Sequence, residues 1–211
     1  MDSAITEQRV NLQAKKQDLV RHEIWMAAID LFYADGFDAV TVDQIAERAG
    51  VSRRTFFRYF SSKDDLMGQT LKSYGELLGN AIRALGADVG AYEAAQQATA
   101  SVLMCQPSVS TTERFMEIGK RSPAARNAQS LQQPLVEEQL ALTFAARDGR
   151  SGEPSIEDRI VASLTFTATR LCVDLWVSQP NRPVEEIVEY VFARLSAVCQ
   201  PAHKWNGINT V

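Results

Sequence analysis

The sequence is poor in the residues that most enzyme and metal sites require. Only two histidines occur among 211 residues, and three cysteines lie far apart at Cys105, Cys172 and Cys199. A histidine-based catalytic triad, a zinc site with paired cysteines and a disulfide framework are therefore disfavoured. A glycine-rich phosphate loop is also missing. We therefore expect a protein that is not an enzyme and that needs no metal and no cofactor.

Signals for β-strands and membrane segments are scarce as well. Sustained alternation of apolar and polar residues is nearly absent, and the N-terminal residues lack the apolar stretch of a signal peptide. The longest uncharged run, residues 94–112, is rich in Gln, Ser and Thr and contains Pro107, so it is too polar for a transmembrane helix. These absences predict an all-α protein in the cytoplasm that does not contact a membrane.

Helical patterns fill the N-terminal quarter of the chain. Gly36 is predicted to end a first amphipathic helix in the left-handed conformation. Thr41 and Gln44 have the spacing of a capping box, which predicts a short helix after Thr41. Ser52 is predicted to cap a second short helix over 53–60.

Serine caps also predict two longer helices. Ser62 opens one that runs to about Leu85, and Ser155 opens another that Pro180 ends. Loops are expected at 86–90, 106–110 and 147–154.

Two short amphipathic helices joined by a glycine-containing turn are typical of a helix-turn-helix, whose second helix enters the DNA major groove. Residues 48–63 carry five cations and no acid, a local charge of +5 in a chain whose net charge is −4. A solvated basic face on an ordinary helix pair is the alternative. The combination of caps, turn glycine, inward Phe56 and Phe60, and outward arginines favours DNA binding.

The segment Gly36-Phe37 together with residues 41–66 resembles the N-terminal domain of the TetR family of transcriptional regulators. The resemblance covers residues 18–71, about a quarter of the chain. It implies a homodimeric regulator, usually a repressor, that binds a palindromic double-stranded DNA operator and responds to a small-molecule effector.

Candidate DNA contacts come from both arguments. Helix starts offer free N–H groups to phosphate, and arginine can fork onto the two acceptors of guanine. The resemblance implies base reading by Arg53, Arg54 and Thr55, and phosphate contacts by Tyr59 and Lys63. Phe57 stands where the family commonly has tyrosine, so a thymine methyl contact is expected there. The full expected set is Thr41, Ser52, Arg53, Arg54, Thr55, Phe57, Arg58, Tyr59 and Lys63.

The last two helices are predicted to form the dimer interface. Apolar residues on the final helix are spaced 4-3-4-3, as in a coiled-coil seam, and the preceding helix has two apolar stripes. A monomeric core fits these patterns equally well, and the resemblance favours a four-helix bundle between subunits. The expected interface residues are Val161, Leu164, Leu171, Leu175, Val184, Val188, Val191, Leu195 and Val198.

An effector pocket is implied by the resemblance and placed among large side chains of the middle helices. These residues are Met104, Phe115, Met116, Phe144, Phe166, Arg170 and Trp176. Ordinary core packing is the alternative for each of them. Arg170 could anchor an acidic effector, but a pair with Asp174 at i+4 is favoured.

The expected organisation is a flexible tail over 1–17, a helix-turn-helix domain over 18–66, and a helical effector-binding and dimerisation domain over 67–211. The function that the residues leave open as an alternative is a helical small-molecule-binding or interaction module without sequence-specific DNA binding.

Overall fold

A computed structural model describes residues 2–105 and 108–199, and all of their regular structure is helical. The all-α prediction is therefore confirmed for these ranges. The helices are α1 (Asp2–Asp35), α2 (Val42–Arg48), α3 (Arg53–Tyr59), α4 (Lys63–Ala84), α5 (Ala91–Met104), α6 (Val109–Arg121), α7 (Pro123–Ser130), α8 (Gln133–Arg147), α9 (Ile156–Ser178) and α10 (Val184–Cys199).

The chain forms two compact units. The first contains the residues up to Leu71 together with Thr111–Gln132, and the second contains Lys72–Ser110 and the residues from Gln133 onward. Helices α6 and α7 therefore pack in the first unit although they follow α5 in sequence.

A continuous apolar core holds the first unit together. Phe32 of α1, Ile45 of α2 and Phe56 of α3 are at most 1% exposed, and Ile118 of α6 joins them. The indole of Trp25 donates a hydrogen bond of 2.8 Å to the Thr70 hydroxyl, which ties α1 to the start of α4. This core fixes the two short helices against α1.

Gly36 ends α1 as predicted. Its φ is +88°, a conformation that side chains bearing a Cβ rarely adopt. The turn lets Phe37 fold back until its ring centroid lies 4.9 Å from that of Phe32. The chain therefore leaves α1 in a fixed direction toward α2.

The second unit is built around α9. The hydroxyls of Thr99 in α5 and Thr169 in α9 lie 2.9 Å apart. The Ser163 hydroxyl donates a hydrogen bond of 2.7 Å to the Glu137 carboxylate of α8. Helix α4 approaches α8 at Gly75, where an added Cβ would lie 2.6 Å from a methyl group of Val136. Close contact between these helices therefore depends on that glycine.

Helix α9 is the only helix among the described residues whose length and apolar composition would allow it to cross a membrane. Its mean hydropathy over the relevant window is 1.4, and a third of that window is buried in the protein. A core helix of a soluble protein passes the same test. No described helix within residues 94–112 passes it.

Two segments differ from the sequence analysis. Helix α1 begins at Asp2, where a tail over 1–17 is predicted, and the flexibility of that tail stays a prediction. The sequence analysis also gives no loop between 111 and 146, whereas the structure separates α6, α7 and α8 there. The break has a local cause, because Ser122 caps α7 by accepting from the Ala125 amide and Pro123 occupies the first turn.

Candidate nucleic-acid interface

Helix α2 begins with the predicted capping box. The Thr41 hydroxyl accepts from the Gln44 amide at 3.3 Å, and the Gln44 side-chain oxygen accepts from the Thr41 amide at 2.8 Å. Two backbone donors at the helix start are satisfied in this way. The hydroxyl also donates to the Gln44 side chain at 2.9 Å, so Thr41 is engaged within the protein while remaining exposed.

Helix α3 is positioned by a serine cap and by buried aromatic rings. The Ser52 hydroxyl accepts from the Thr55 amide at 3.0 Å and lies 2.9 Å from the Thr55 hydroxyl. Phe56 and Phe60 are at most 1% exposed, with their ring centroids 5.7 Å apart. Because these rings face the core, the arginines of α3 are held on the outside, as predicted from the sequence.

The five cations of residues 48–63 differ in what they contact. Arg48 lies 3.8 Å from Asp30, and Arg53 lies 2.7 Å from Asp43. Arg54 makes no hydrogen bond, ion pair or ring contact with any described residue, and it is exposed. The positive charge available to a ligand is therefore smaller than the sequence count of +5.

Arg58 and Tyr59 form a local pair at the end of α3. The Arg58 guanidinium carbon lies 4.9 Å from the centroid of the Tyr59 ring, and Nη2 donates to the Tyr59 hydroxyl at 3.3 Å. Arg58 is exposed and Tyr59 half-buried. Two of the predicted DNA contacts thus lie side by side at one end of the helix.

Lys63 is placed differently from its expected role. Its ammonium donates to the backbone oxygens of Phe37, Asp38 and Val40 at 2.7, 3.3 and 3.2 Å, and it lies 4.6 Å from the centroid of the Phe37 ring. An ammonium has three N–H groups, so all of them are used inside the protein. In this conformation no N–H group of Lys63 is left for a phosphate, which argues against the phosphate contact expected there.

Comparisons with known proteins agree with this geometry. Residues 24–70 match the family described as bacterial regulatory proteins of the tetR family. Over these residues the chain is similar to the N-terminal domain of TetR-family transcriptional regulators.

The relatives of this chain align mainly through the same region. The transcriptional regulator HbdR of Aromatoleum is 38% identical over 73 residues, which cover 35% of this chain and 32% of HbdR. TcmR of Streptomyces glaucescens is 24% identical over 83% of this chain and 81% of TcmR. The relatives that are 34–58% identical share only 20–32% of their own length with this chain.

Similarity to a solved structure extends over most of the chain. NalD, the secondary repressor of the MexAB-OprM multidrug efflux pump in Pseudomonas aeruginosa, matches with a TM-score of 0.56 at 19% identity. The match covers 86% of this chain and 96% of NalD. It shows that the fold is shared along both units.

The residues predicted for a dimer interface separate into two groups. Val188 and Val191 of α10 are only 2% and 5% exposed and pack inside the second unit. Leu164 and Leu171 of α9 and Val198 of α10 are between 36% and 55% exposed. Val184 and Leu195 of α10 are half-buried. Two of the five residues predicted on this helix thus lie in the core of their own unit, and the interface stays a prediction.

The sequence analysis missed several exposed apolar residues on α8 and α9. They recur at helical spacing, so each helix presents a stripe. The missed residues are Leu135, Leu142, Ile156 and Ile160.

The residues predicted for an effector pocket belong to both units. Phe115 and Met116 belong to the first unit, where Phe115 packs 6.4 Å from Trp25, whereas the other five belong to the second. Met104 is 56% exposed and Phe144 is buried. Arg170 lies 3.5 Å from Asp174, which is the pairing that the sequence favoured.

A cavity of about 330 Å³ lies elsewhere in the second unit, between α5, α9 and α10. None of the predicted pocket residues lines it. Its walls are mainly apolar and are formed by Tyr92, Ala95, Val161, Leu164, Thr165, Phe192, Leu195, Ser196 and Cys199.

Two buried groups of the second unit shape its interior. Burial raises the pKa of the Cys172 thiol to about 12, so the sulfur stays protonated and unreactive, as the sequence suggested. Burial also raises the pKa of Tyr74, whose hydroxyl has no hydrogen-bond partner among the described residues. The Tyr74 hydroxyl therefore remains a donor at neutral pH.

Proposed function

We propose that this protein is a homodimeric TetR-family repressor that binds a palindromic operator through α3 and is released by a small, largely apolar effector in the cytoplasm. The observation that carries the proposal is the exposed start of α3. There Arg53 and Arg54 stand in the first turn of a helix whose opposite side is locked into the core by Phe56.

The proposed DNA-binding domain is residues 18–66. Arg53, Arg54 and Thr55 face the base edges, while helix starts and the end of α3 face phosphate. Lys63 is omitted from the contacts because its donors are bonded to backbone oxygens. The proposed contacts are Thr41, Ser52, Arg53, Arg54, Thr55, Phe57, Arg58 and Tyr59.

Dimerisation is proposed for residues 67–211. Exposed apolar stripes on α8 and α9 support this proposal, since monomeric proteins rarely leave contiguous apolar faces in water. A two-fold dimer would place two copies of α3 about 34 Å apart, one turn of DNA, which suits a palindrome. Leu164, Leu171 and Val198 remain in the proposed interface, with Ile160 and Leu142 added.

An effector can release the operator only by binding two dimer geometries with unequal affinity. The apolar cavity between α5, α9 and α10 supports a ligand of that character, and NalD, with the same fold, is a repressor of a multidrug efflux pump. The candidate ligand contacts are therefore the walls of this cavity rather than Phe166 and Trp176.

The test of base reading uses a duplex selected by the wild-type protein from a random pool. Changing Arg53 and Arg54 together to Ala should lower the preference for the selected duplex over random duplex by at least about 30-fold, because each good arginine–guanine pair contributes about 1–3 kcal/mol of discrimination. Fluorescence anisotropy at fixed salt measures both affinities.

Arg194→Ala, which removes an exposed arginine of α10, is the matched control and should leave the preference unchanged. A double variant that discriminates as well as wild type would refute base reading by α3. Failure of the wild-type protein to select any sequence would favour a helical binding module without sequence-specific DNA recognition.

A further inference from the structure

Asp43 and Arg53 join the two short helices at their exposed starts. Arg53 Nη1 donates to both carboxylate oxygens of Asp43, at 2.8 and 2.7 Å. The two side chains are 63% and 62% exposed, so the pair lies on the surface. Arg53 Nη2 and Nε make no hydrogen bond with any described residue, which leaves one full edge of the guanidinium free.

Phe57 supports the same guanidinium from within α3. The Arg53 guanidinium carbon lies 5.4 Å from the centroid of the Phe57 ring. Phe57 in turn meets the buried Phe56 ring edge-on, at 5.4 Å between centroids and 86° between planes. The arginine head is therefore held between a carboxylate of α2 and a ring that is anchored on the core.

We propose that Asp43 is a specificity-determining residue that positions Arg53 to read guanine. With Nη1 held by Asp43, the Nε–Nη2 edge is the pair of donors that remains for the two major-groove acceptors of guanine. The proposal rests on base reading by α3. Asp43 is acidic, so a search for cationic DNA contacts in the sequence does not select it.

The charge of Asp43 contributes a second effect. The carboxylate neutralises Arg53 and would repel nearby phosphates, so it lowers attraction to DNA of any sequence. An exposed ion pair adds little to folding stability. A positioning role therefore predicts that loss of Asp43 raises affinity for random DNA while it lowers sequence preference. A merely structural role would lower both affinities.

The test is a double-mutant cycle with Asp43→Asn and Arg53→Ala, measured on the selected duplex and on random duplex. Asp43→Asn alone should lower the preference about 2- to 10-fold, the range expected when the ordering of one flexible side chain is lost. It should raise the affinity for random duplex about twofold, through the loss of one negative charge. In the Arg53→Ala background, Asp43→Asn should leave the preference unchanged.

Glu47→Gln is the matched control, because Glu47 is an exposed acid of the same helix whose side chain has no hydrogen bond or ion pair to the described residues. It should raise affinity for random duplex similarly without changing the preference. An unchanged preference in Asp43→Asn, or an equal loss with and without Arg53, would overturn the positioning role alone. An unchanged preference in Arg53→Ala would overturn both this role and base reading by Arg53.

Discussion

The charged group of Lys63 is hydrogen-bonded within the protein. Its ammonium closes the turn between α1 and α2 by donating hydrogen bonds to the backbone oxygens of Phe37, Asp38 and Val40. The sequence places Lys63 correctly at a helix start, but the backbone oxygens that it contacts lie about 25 residues earlier in the chain. At the scale of a single residue, the sign of a charge therefore says little about what it contacts.

Replacing Lys63 with Met keeps the aliphatic stem and removes the donors. We expect the free energy of unfolding to fall by about 1–3 kcal/mol, because partly buried carbonyl oxygens lose their partners. The slope of log affinity against log salt for random duplex should stay at the wild-type value. Urea denaturation and titrations at several salt concentrations measure the two quantities.

Arg58→Ala provides the comparison, since Arg58 has no acidic partner among the described residues and is proposed to touch phosphate. Its salt slope should be reduced by about one unit. A reduction of that size in Lys63→Met would restore the phosphate role that the sequence suggested.

At the scale of an element, α9 depends on the network at its first turn. Ser155 and Asp158 form a capping box, and Asp158 also accepts hydrogen bonds of 2.6 and 2.7 Å from Arg150 in the preceding loop. The Asp158 side chain is 5% exposed. The Arg150 hydrogen bonds outweigh the effect of burial and hold the pKa of the Asp158 carboxyl well below its usual range.

This network predicts a pH dependence of stability. Because the folded-state pKa of Asp158 is depressed, its contribution is present above the unfolded pKa of about 3.9 and is lost as pH falls through the folded pKa. Asp158→Asn should lower the free energy of unfolding by about 1–3 kcal/mol at pH 7. The difference from wild type should shrink as pH falls below about 4, as measured by urea denaturation.

Asp148→Asn is the matched control, because Asp148 also pairs with Arg150 but is 66% exposed. Asp148→Asn should change the free energy of unfolding by no more than about 0.5 kcal/mol, both at pH 7 and below about pH 4. A similar loss in both variants would mean that loss of the Arg150 charge pairing, rather than the buried cap, determines the effect.

At the scale of the whole molecule, the exposed apolar stripe on α9 is the strongest argument for self-association. Ile160, Leu164 and Leu171 follow one another at helical spacing and are between 36% and 51% exposed. Helix α8 adds Leu142, which is 46% exposed. The two helices are joined by an ion pair between Arg159 and Glu138 and by a hydrogen bond from Ser163 to Glu137.

Leu171→Glu should therefore weaken the proposed dimer. We expect the dissociation constant to rise by about 100-fold, because two-fold symmetry places the lost leucine and the new charge in the interface twice. Sedimentation velocity over a range of protein concentrations measures this change. Leu77→Glu, at an equally exposed leucine of α4, is the control and should leave the dimer intact. Equal dissociation of both variants would remove α9 from the interface.

The N-terminal elements could be predicted because their signals are local. Gly36, Thr41 with Gln44, and Ser52 each act on residues within a few positions, so spacing alone places α2 and α3. The break at Ser122-Pro123 carried a signal of the same kind that the sequence analysis did not use. Element boundaries were thus readable wherever caps were recognised.

The sequence by itself determined an all-helical chain with a helix-turn-helix and outward arginines, since helical periodicity and capping depend on neighbouring residues. The tertiary structure decided which neighbour each residue meets. It turned Val188 and Val191 into the core of their own unit, directed Lys63 to backbone oxygens, and set Asp43 against Arg53. A pattern shows that a face is buried or charged, but the partner depends on contacts between residues far apart in the chain.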